Sequence, residues 1–224
     1  MARKINLVPG EFYHIYNRGT EKRQVFTKIY DYERFLSLLY IANSSIRVDL
    51  KKQGSTLSEI LALERGKSLV NICAYCLMPN HFHLIINEKE DGGASKFMQK
   101  LITGYTMYFN KTYERSGALF QGRFKVEHAD NDNYLSYLIA YIHLNPAKLI
   151  EPTWKETGIK DKNQVEKFLD NYRYSSYYDY SGNKRVESKI VNMSALPIYD
   201  ELPKDFRSSV SQWLNKSEQG STLS

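Results

Sequence analysis

Two spacings organise the hydrophobic and polar positions of this 224-residue chain. Alternation with a period of two marks strands, because successive side chains leave a pleated backbone on opposite faces. It runs through Phe12 to Asn17, Val70 to Met78, His81 to Asn87 and Arg123 to Glu127. Recurrence at three and four residues marks amphipathic helices. Tyr32, Phe35, Leu38, Leu39 and Ala42 recur in this way after Asp31, as do Phe97, Leu101, Tyr105 and Tyr108 in a stretch that runs to Asn110. A third such set, Leu135, Leu138, Ile139 and Ile142, lies between Asp132 and Asn145, where Pro146 ends the pattern. Arg18-Gly19, Pro79-Asn80, Asp91-Gly92-Gly93 and the glycine-punctuated stretch from Ser116 to Gly122 supply the turns.

The resulting order, βαββαβ followed by a further helix, predicts an α+β protein with a ferredoxin-like antiparallel sheet. Two helices would cover one face and the other would stay open. Residues 43–69 interrupt this order as an excursion with a short helical run from Leu57 to Leu63. After Lys148 come a polar segment, a helix near Asn163 to Tyr172, the run RYSSYYDY at 173–180, and a helix near Lys204 to Lys216 striped by Phe206, Val210, Trp213 and Leu214. Residues 1–150 therefore read as the sheet domain and 151–224 as a mainly helical C-terminal appendage.

Strand parity then places the side chains. Phe82, Leu84 and Ile86 fall on one face of the third strand, and His81 and His83 on the other. Ile72, Ala74, Cys76 and Met78 form an apolar face on the second strand. If the apolar sets turn toward the helices, His81, His83, Arg123 and Lys125 share the open face. A His-x-His pair on a strand is prepositioned to hold a divalent ion, although most such pairs are ordinary surface or hydrogen-bonded histidines and a site needs more ligands. Cys73 and Cys76, three apart, are expected on opposite faces as reduced, buried small residues, because no second cysteine pair exists to complete a zinc site.

Composition narrows the class. Hydrophobic residues make up 42% and charged residues 25%, as in soluble globular proteins. No apolar run approaches the ~18 residues of a membrane helix, and the N-terminus carries no apolar leader segment, so a cytoplasmic protein without a membrane partner is expected. The net charge of +6 is uneven: residues 1–150 hold 20 Lys and Arg against 14 Asp and Glu, whereas 151–224 hold 11 of each. The excess therefore accompanies the His-x-His strand. It suits a polyanion such as nucleic acid, and the 18 tyrosines add faces on which bases can stack.

On the helix from Asp132 to Asn145, Tyr137, Tyr141 and Asn145 lie one turn apart on a face beside the apolar stripe. By periodicity alone these are core or surface residues. Three blocks change that. YHIYNRG at 13–19, YCLMPNHFHLII at 75–86 and YIHLNP at 141–146, with FQGRFK between the last two and SSYYDY after them, resemble the single-tyrosine HUH transposases. The resemblance is to the IS200-like group and specifically to its REP-associated branch, and it runs in the family's order over roughly residues 9 to 180.

The resemblance implies a ferredoxin-like sheet whose His81 and His83 bind a divalent ion, Mg²⁺ or Mn²⁺, with Asn145 as third ligand and Tyr141 as the nucleophile. Relatives from insertion sequences carry Gln where Asn145 stands. The implied activity is cleavage and rejoining of single-stranded or hairpin DNA through a 5′-phosphotyrosyl adduct with a free 3′-OH, which stores the bond energy for resealing. Two imidazoles with an amide oxygen form a softer set than Mg²⁺ prefers, so Mn²⁺ is expected to serve at least as well. Arg18, Lys96, Lys100, Arg123 and Lys125 are the expected phosphate contacts. Two other readings stand beside this one: a non-catalytic single-strand binding module stacking bases on Phe12, His14, Tyr16 and Tyr75, and an HUH replication initiator or relaxase. A monomer and a homodimer are both compatible with the sequence.

Overall fold

The computed structural model describes residues 6–46, 56–199 and Phe206 of the chain. Its centre is a four-stranded antiparallel sheet of β1 (Phe12–Arg18), β2 (Val70–Met78), β3 (His81–Glu88) and β4 (Lys125–His128), in the order β2-β3-β1-β4. This is the ferredoxin-like strand order expected from the sequence. The helices are α1 (Ile29–Ile41), a short α2 (Leu57–Leu61) in the 43–69 excursion, α3 (Gly93–Thr112) and α4 (Asp132–Leu144). Beyond Lys148 follow α5 (Trp154–Thr157), α6 (Lys162–Asn171) and α7 (Tyr177–Tyr180). The helix expected near Lys204 to Lys216 lies, apart from Phe206, outside the described residues.

Helices α1 and α3 pack on the face that carries Tyr13, Ile15, Ile72, Tyr75, Leu77, Phe82, Leu84 and Ile86. Phe82 is fully buried between Phe35 of α1 and Phe120, with ring centroids 5.1 and 5.7 Å away. Truncating it to alanine removes contacts that a packed interior cannot replace, at a cost of about 3–5 kcal/mol. The sequence therefore places the β3 side of this core correctly, whereas on β2 Tyr75 and Leu77 stand where Ala74, Cys76 and Met78 were expected.

Two expectations about the sheet need correction. The register between β2 and β3 slips between Ile72 and Ala74, a bulge that inserts one residue and breaks the strict alternation. Ile72 consequently joins the α1/α3 core, while Ala74, Cys76 and Met78 face the other way. Cys73 and Cys76 then lie in the same core rather than on opposite faces; both are free thiols, and burial pushes the Cys73 thiol up to about 12. The second face is also not open along its whole width. Cys73, Ala74, Cys76, Met78 and Ile85 are too apolar to leave in water, and α4 and the segment from Trp154 to Ile198 cover them. Residues from both sides of position 150 thus share one core.

That segment is tied to the edge of β2 by backbone hydrogen bonds. Leu77 N–H donates to the Tyr174 carbonyl (2.9 Å), and Ser176 N–H donates to the Tyr75 carbonyl (3.0 Å). The polar end of the second face, over β1, β3 and β4, is where a cleft remains.

Candidate active site

Three sequence blocks meet at the mouth of the cleft because their backbones bond to one another. At the end of β1, Gly19 N–H donates to the Asn80 carbonyl (2.9 Å), and Gln121 N–H donates to the Arg18 carbonyl (2.8 Å). Val25 and Phe26 both donate to the Pro79 carbonyl, at 2.8 and 3.0 Å. The Asn-Arg-Gly end of β1, the Pro79-Asn80 turn and the Phe120-Gln121-Gly122 loop are therefore a single bonded corner. A side chain at position 19 would run into the Arg23 carbonyl oxygen and Val25 Cγ1, which explains the glycine.

Helix α4 brings the fourth block. Asn131 caps its start, its side-chain oxygen accepting the Tyr134 N–H at 2.8 Å, and Pro146 converts its end into a 3₁₀ turn over Asn145–Leu149. His143 fixes its rotation: fully buried, it sits 2.7 Å from the Ser176 hydroxyl, which also accepts the Tyr75 N–H at 2.9 Å. Burial depresses the His143 imidazole to about 3, so it is a neutral structural tie. With that side of the helix held, Tyr141 and Asn145 turn toward the sheet.

Two adjoining cavities result. One, of about 350 Å³, is lined by Tyr16, Asn17, Arg18, His81, His83, Gln121, Lys125, Tyr141, Asn145 and Lys148. The structure thus brings His81, His83, Tyr141, Asn145, Arg18 and Lys125 into one cleft. It does not bring in the others. Arg123 is exposed in the bend before β4, which begins at Lys125, and lines neither cavity. Lys96 and Lys100 ride on α3, across the sheet, where Lys100 Nζ donates to the Ser44 carbonyl (2.8 Å).

The second cavity, about 460 Å³, is lined by His14, Tyr16, His83, Glu127, Tyr134, Tyr137, Leu138 and Tyr141. Tyr141 and His83 border both cavities. The Tyr141 ring meets His83 edge-on with centroids 5.8 Å apart, and His14 at 6.3 Å. Burial raises the Tyr141 phenol above its ordinary value, and the Asn145 side chain opposes this by hydrogen bonding. Tyr137 stacks 6.0 Å from Tyr141 but is 42% exposed and borders only the second cavity.

The partners of the two histidines define which nitrogens can bind a cation. His81 Nδ1 lies 2.6 Å from Asn80 Oδ1. A carboxamide oxygen only accepts, so His81 donates from Nδ1 and its Nε2 carries the lone pair. His83 Nδ1 lies 2.8 Å from His14 Nε2, and His14 Nδ1 lies 3.3 Å from Glu127 Oε2. The bond to His14, with further bonds from Tyr16 and Tyr134, outweighs the upward pull of burial and leaves Glu127 well below the usual carboxylate range, at about 2. An ionised Glu127 only accepts, so in neutral His14 the chain runs from His83 Nδ1–H to His14 Nε2 and from His14 Nδ1–H to Glu127. The lone pair of the His83 ring is then on Nε2 as well. Asn145 Nδ2 donates to the Tyr141 carbonyl (2.9 Å), so its amide oxygen is the atom left to coordinate. Two imidazole Nε2 atoms and one amide oxygen in one cleft fit a divalent ion of intermediate softness.

Sequence reasoning named His14 only as a base-stacking surface, and missed Glu127, Tyr134, Gln121 and Lys148 as site residues. His14 and Tyr16 carried a signal, being two apart on a strand, but only strand register shows that Tyr16 pairs with His83 and Lys125, and His14 with Glu127. Tyr75, expected as a stacking surface, is fully buried and its hydroxyl takes an Arg185 N–H at 3.1 Å, so bases cannot reach it.

Comparison with known proteins agrees with this architecture. Among solved structures the chain is similar to a REP-associated tyrosine transposase bound to a REP hairpin, with a TM-score of 0.50 and 14% identity over 84% of this chain and 89% of that one. A search of curated proteins finds no match. Among the described residues no helix is long and apolar enough to cross a membrane. The profile of the family described as "Transposase IS200 like" matches residues 10–145, from before β1 to Asn145. The chain belongs to the IS200-like transposase family.

Proposed function

We propose that this protein is a metal-assisted, single-strand-specific DNA endonuclease and strand transferase in which Tyr141 is the nucleophile. The observation that carries this reading is that Tyr141, His81, His83 and Asn145 line one cleft together with the cations Arg18, Lys125 and Lys148.

The residues divide the work. Arg18, Lys125 and Lys148 draw a phosphodiester backbone into the cleft and balance its charge. His81 and His83 through Nε2, and Asn145 through its amide oxygen, would hold Mg²⁺ or Mn²⁺. When bound, such an ion supplies Lewis acidity to a nonbridging phosphate oxygen and lowers the cost of the charge that builds there. The Tyr141 hydroxyl oxygen attacks phosphorus in line with the 3′-oxygen, which leaves and is protonated to a 3′-OH, while the phenolic proton departs to solvent. The product is a 5′-phosphotyrosyl bond on Tyr141. Reversal by a second 3′-OH rejoins DNA without an external energy source, because one phosphodiester is exchanged for another. Because burial raises the phenol, Tyr141 stays protonated before substrate and cation enter.

A strand must bend into a cleft beneath α4 to reach Tyr141, which suits single-stranded DNA or the foot of a hairpin better than an intact duplex. The structural neighbour bound to a REP hairpin supports that substrate class, and the Asn-Arg-Gly end of β1 with Asn145 at the third ligand position supports the REP-associated branch. The test is incubation with a labelled single-stranded hairpin oligonucleotide and Mn²⁺ followed by denaturing electrophoresis. A protein-bound label is expected in wild type and in Tyr137→Phe and none in Tyr141→Phe; an adduct that persists in Tyr141→Phe overturns the assignment.

A further inference from the structure

We infer that His14 and Glu127 are positioning residues that set the tautomer and ring orientation of His83, so that its Nε2 faces the cleft as a ready ligand. The inference rests on the reading of His83 as a metal ligand given above. Its observations are its own: the His83 Nδ1 to His14 Nε2 contact of 2.8 Å, the His14 Nδ1 to Glu127 Oε2 contact of 3.3 Å, and the near-coplanar rings of His14 and His83, tilted by only 16°.

Several features show a built arrangement rather than a chance encounter. His14 is 3% exposed, an expensive place for a polar ring unless both nitrogens are satisfied, and here both are. Glu127 is in turn fixed from two other sides, by the Tyr16 hydroxyl at 2.7 Å and the Tyr134 hydroxyl at 3.4 Å. The Tyr16 ring also stacks on both imidazoles, at 4.8 Å from His14 and 5.7 Å from His83. Strand pairing supplies the spacing: His14 faces Glu127 directly across β1 and β4, and Tyr16 faces His83 across β1 and β3. A ligating imidazole whose other nitrogen donates into a fixed carboxylate system is held in one tautomer and is a stronger base. Here a second imidazole carries that effect from Glu127 to His83. His81 obtains the same service from its neighbour Asn80, so the two ligands are oriented by different means.

The test uses the full chain and Mn²⁺ alone. Nitrogen-15 spectra of the metal-free protein should show His83 with its proton on Nδ1. His14→Phe keeps a ring but removes the acceptor, and should shift His83 toward the other tautomer. Mn²⁺ binding, followed by loss of the free-ion electron paramagnetic resonance signal, should weaken about 10- to 100-fold in His14→Phe and in Glu127→Leu. Glu127→Gln retains an acceptor oxygen and should bind Mn²⁺ more tightly than Glu127→Leu. Glu127 is only half-buried, so its variants are expected to fold, and unchanged circular dichroism confirms it. If Mn²⁺ affinity in His14→Phe and Glu127→Leu stays within about twofold of wild type while His83→Ala loses it, the relay is refuted and the metal site stands. If His83→Ala binds Mn²⁺ as wild type does, the metal assignment fails, and the His83 tautomer in His14→Phe still decides the relay.

Discussion

Replacing Arg18, Lys125 and Lys148 together with alanine should flatten the salt dependence of single-stranded DNA binding. All three line the cleft that holds Tyr141, whereas the exposed Lys96 sits on α3 beyond the opposite face of the sheet. Each phosphate contact on a single strand contributes about 0.7 to the slope of log affinity against log salt, so losing three lowers the slope by about 2. Between ~50 and ~200 mM salt those three contacts account for about an 18-fold loss of wild-type affinity, which the triple variant should no longer show. Lys148→Ala alone should remove about 0.7 of slope, or about 2.6-fold over the same interval. The assay is fluorescence anisotropy of a labelled oligonucleotide titrated at several salt concentrations in the presence of a chelator. A triple variant with the wild-type slope, or an equal fall in Lys96→Ala, refutes the placement of the DNA path.

Two further perturbations probe the scaffold that positions the site. Gly19→Ala forces a Cβ against the Arg23 carbonyl and Val25 in the corner joining β1 to the Pro79-Asn80 turn, and should destabilise the fold by about 1–3 kcal/mol in urea denaturation; an unchanged midpoint argues against that corner. Asp31, fully buried in α1, is pulled upward by burial, but bonds from Thr27, Tyr113 and Lys28 outweigh this and leave it below its ordinary 3.8. A depressed carboxylate stabilises the fold above its unfolded pKa and loses that contribution as pH falls through the lower folded value. Wild type should therefore lose stability on acidification below about 4, and Asp31→Asn should be weaker at neutral pH with a flatter profile over that range; parallel profiles for the two proteins contradict this.

The sequence was most informative where geometry is local. Strand parity separates His81 and His83 from Phe82, Leu84 and Ile86, and helical spacing aligns Tyr141 with Asn145, because both follow from backbone periods of two and 3.6. Pro146 likewise marks the end of α4. What stayed hidden depends on contacts between distant segments. His14 and Glu127 are 113 residues apart and meet only because β1 lies between β3 and β4 in a particular register. The bulge between Ile72 and Ala74 leaves no turn residue to announce it, yet it reverses the facing of every residue before it. Lys148 reaches the cleft because a 3₁₀ turn follows Pro146, and the half-covered second face reflects apolar residues in β2 and β3 that needed α4 and the segment after 150 to bury them.

The most direct test of the central claim is to digest the covalent protein–DNA complex and locate the modified residue by mass spectrometry. A peptide containing Tyr141, bearing a nucleotide through its 5′-phosphate with the released strand ending in a 3′-OH, is the expected result. The same mass on Tyr137, or a 3′-phosphate linkage, would contradict it.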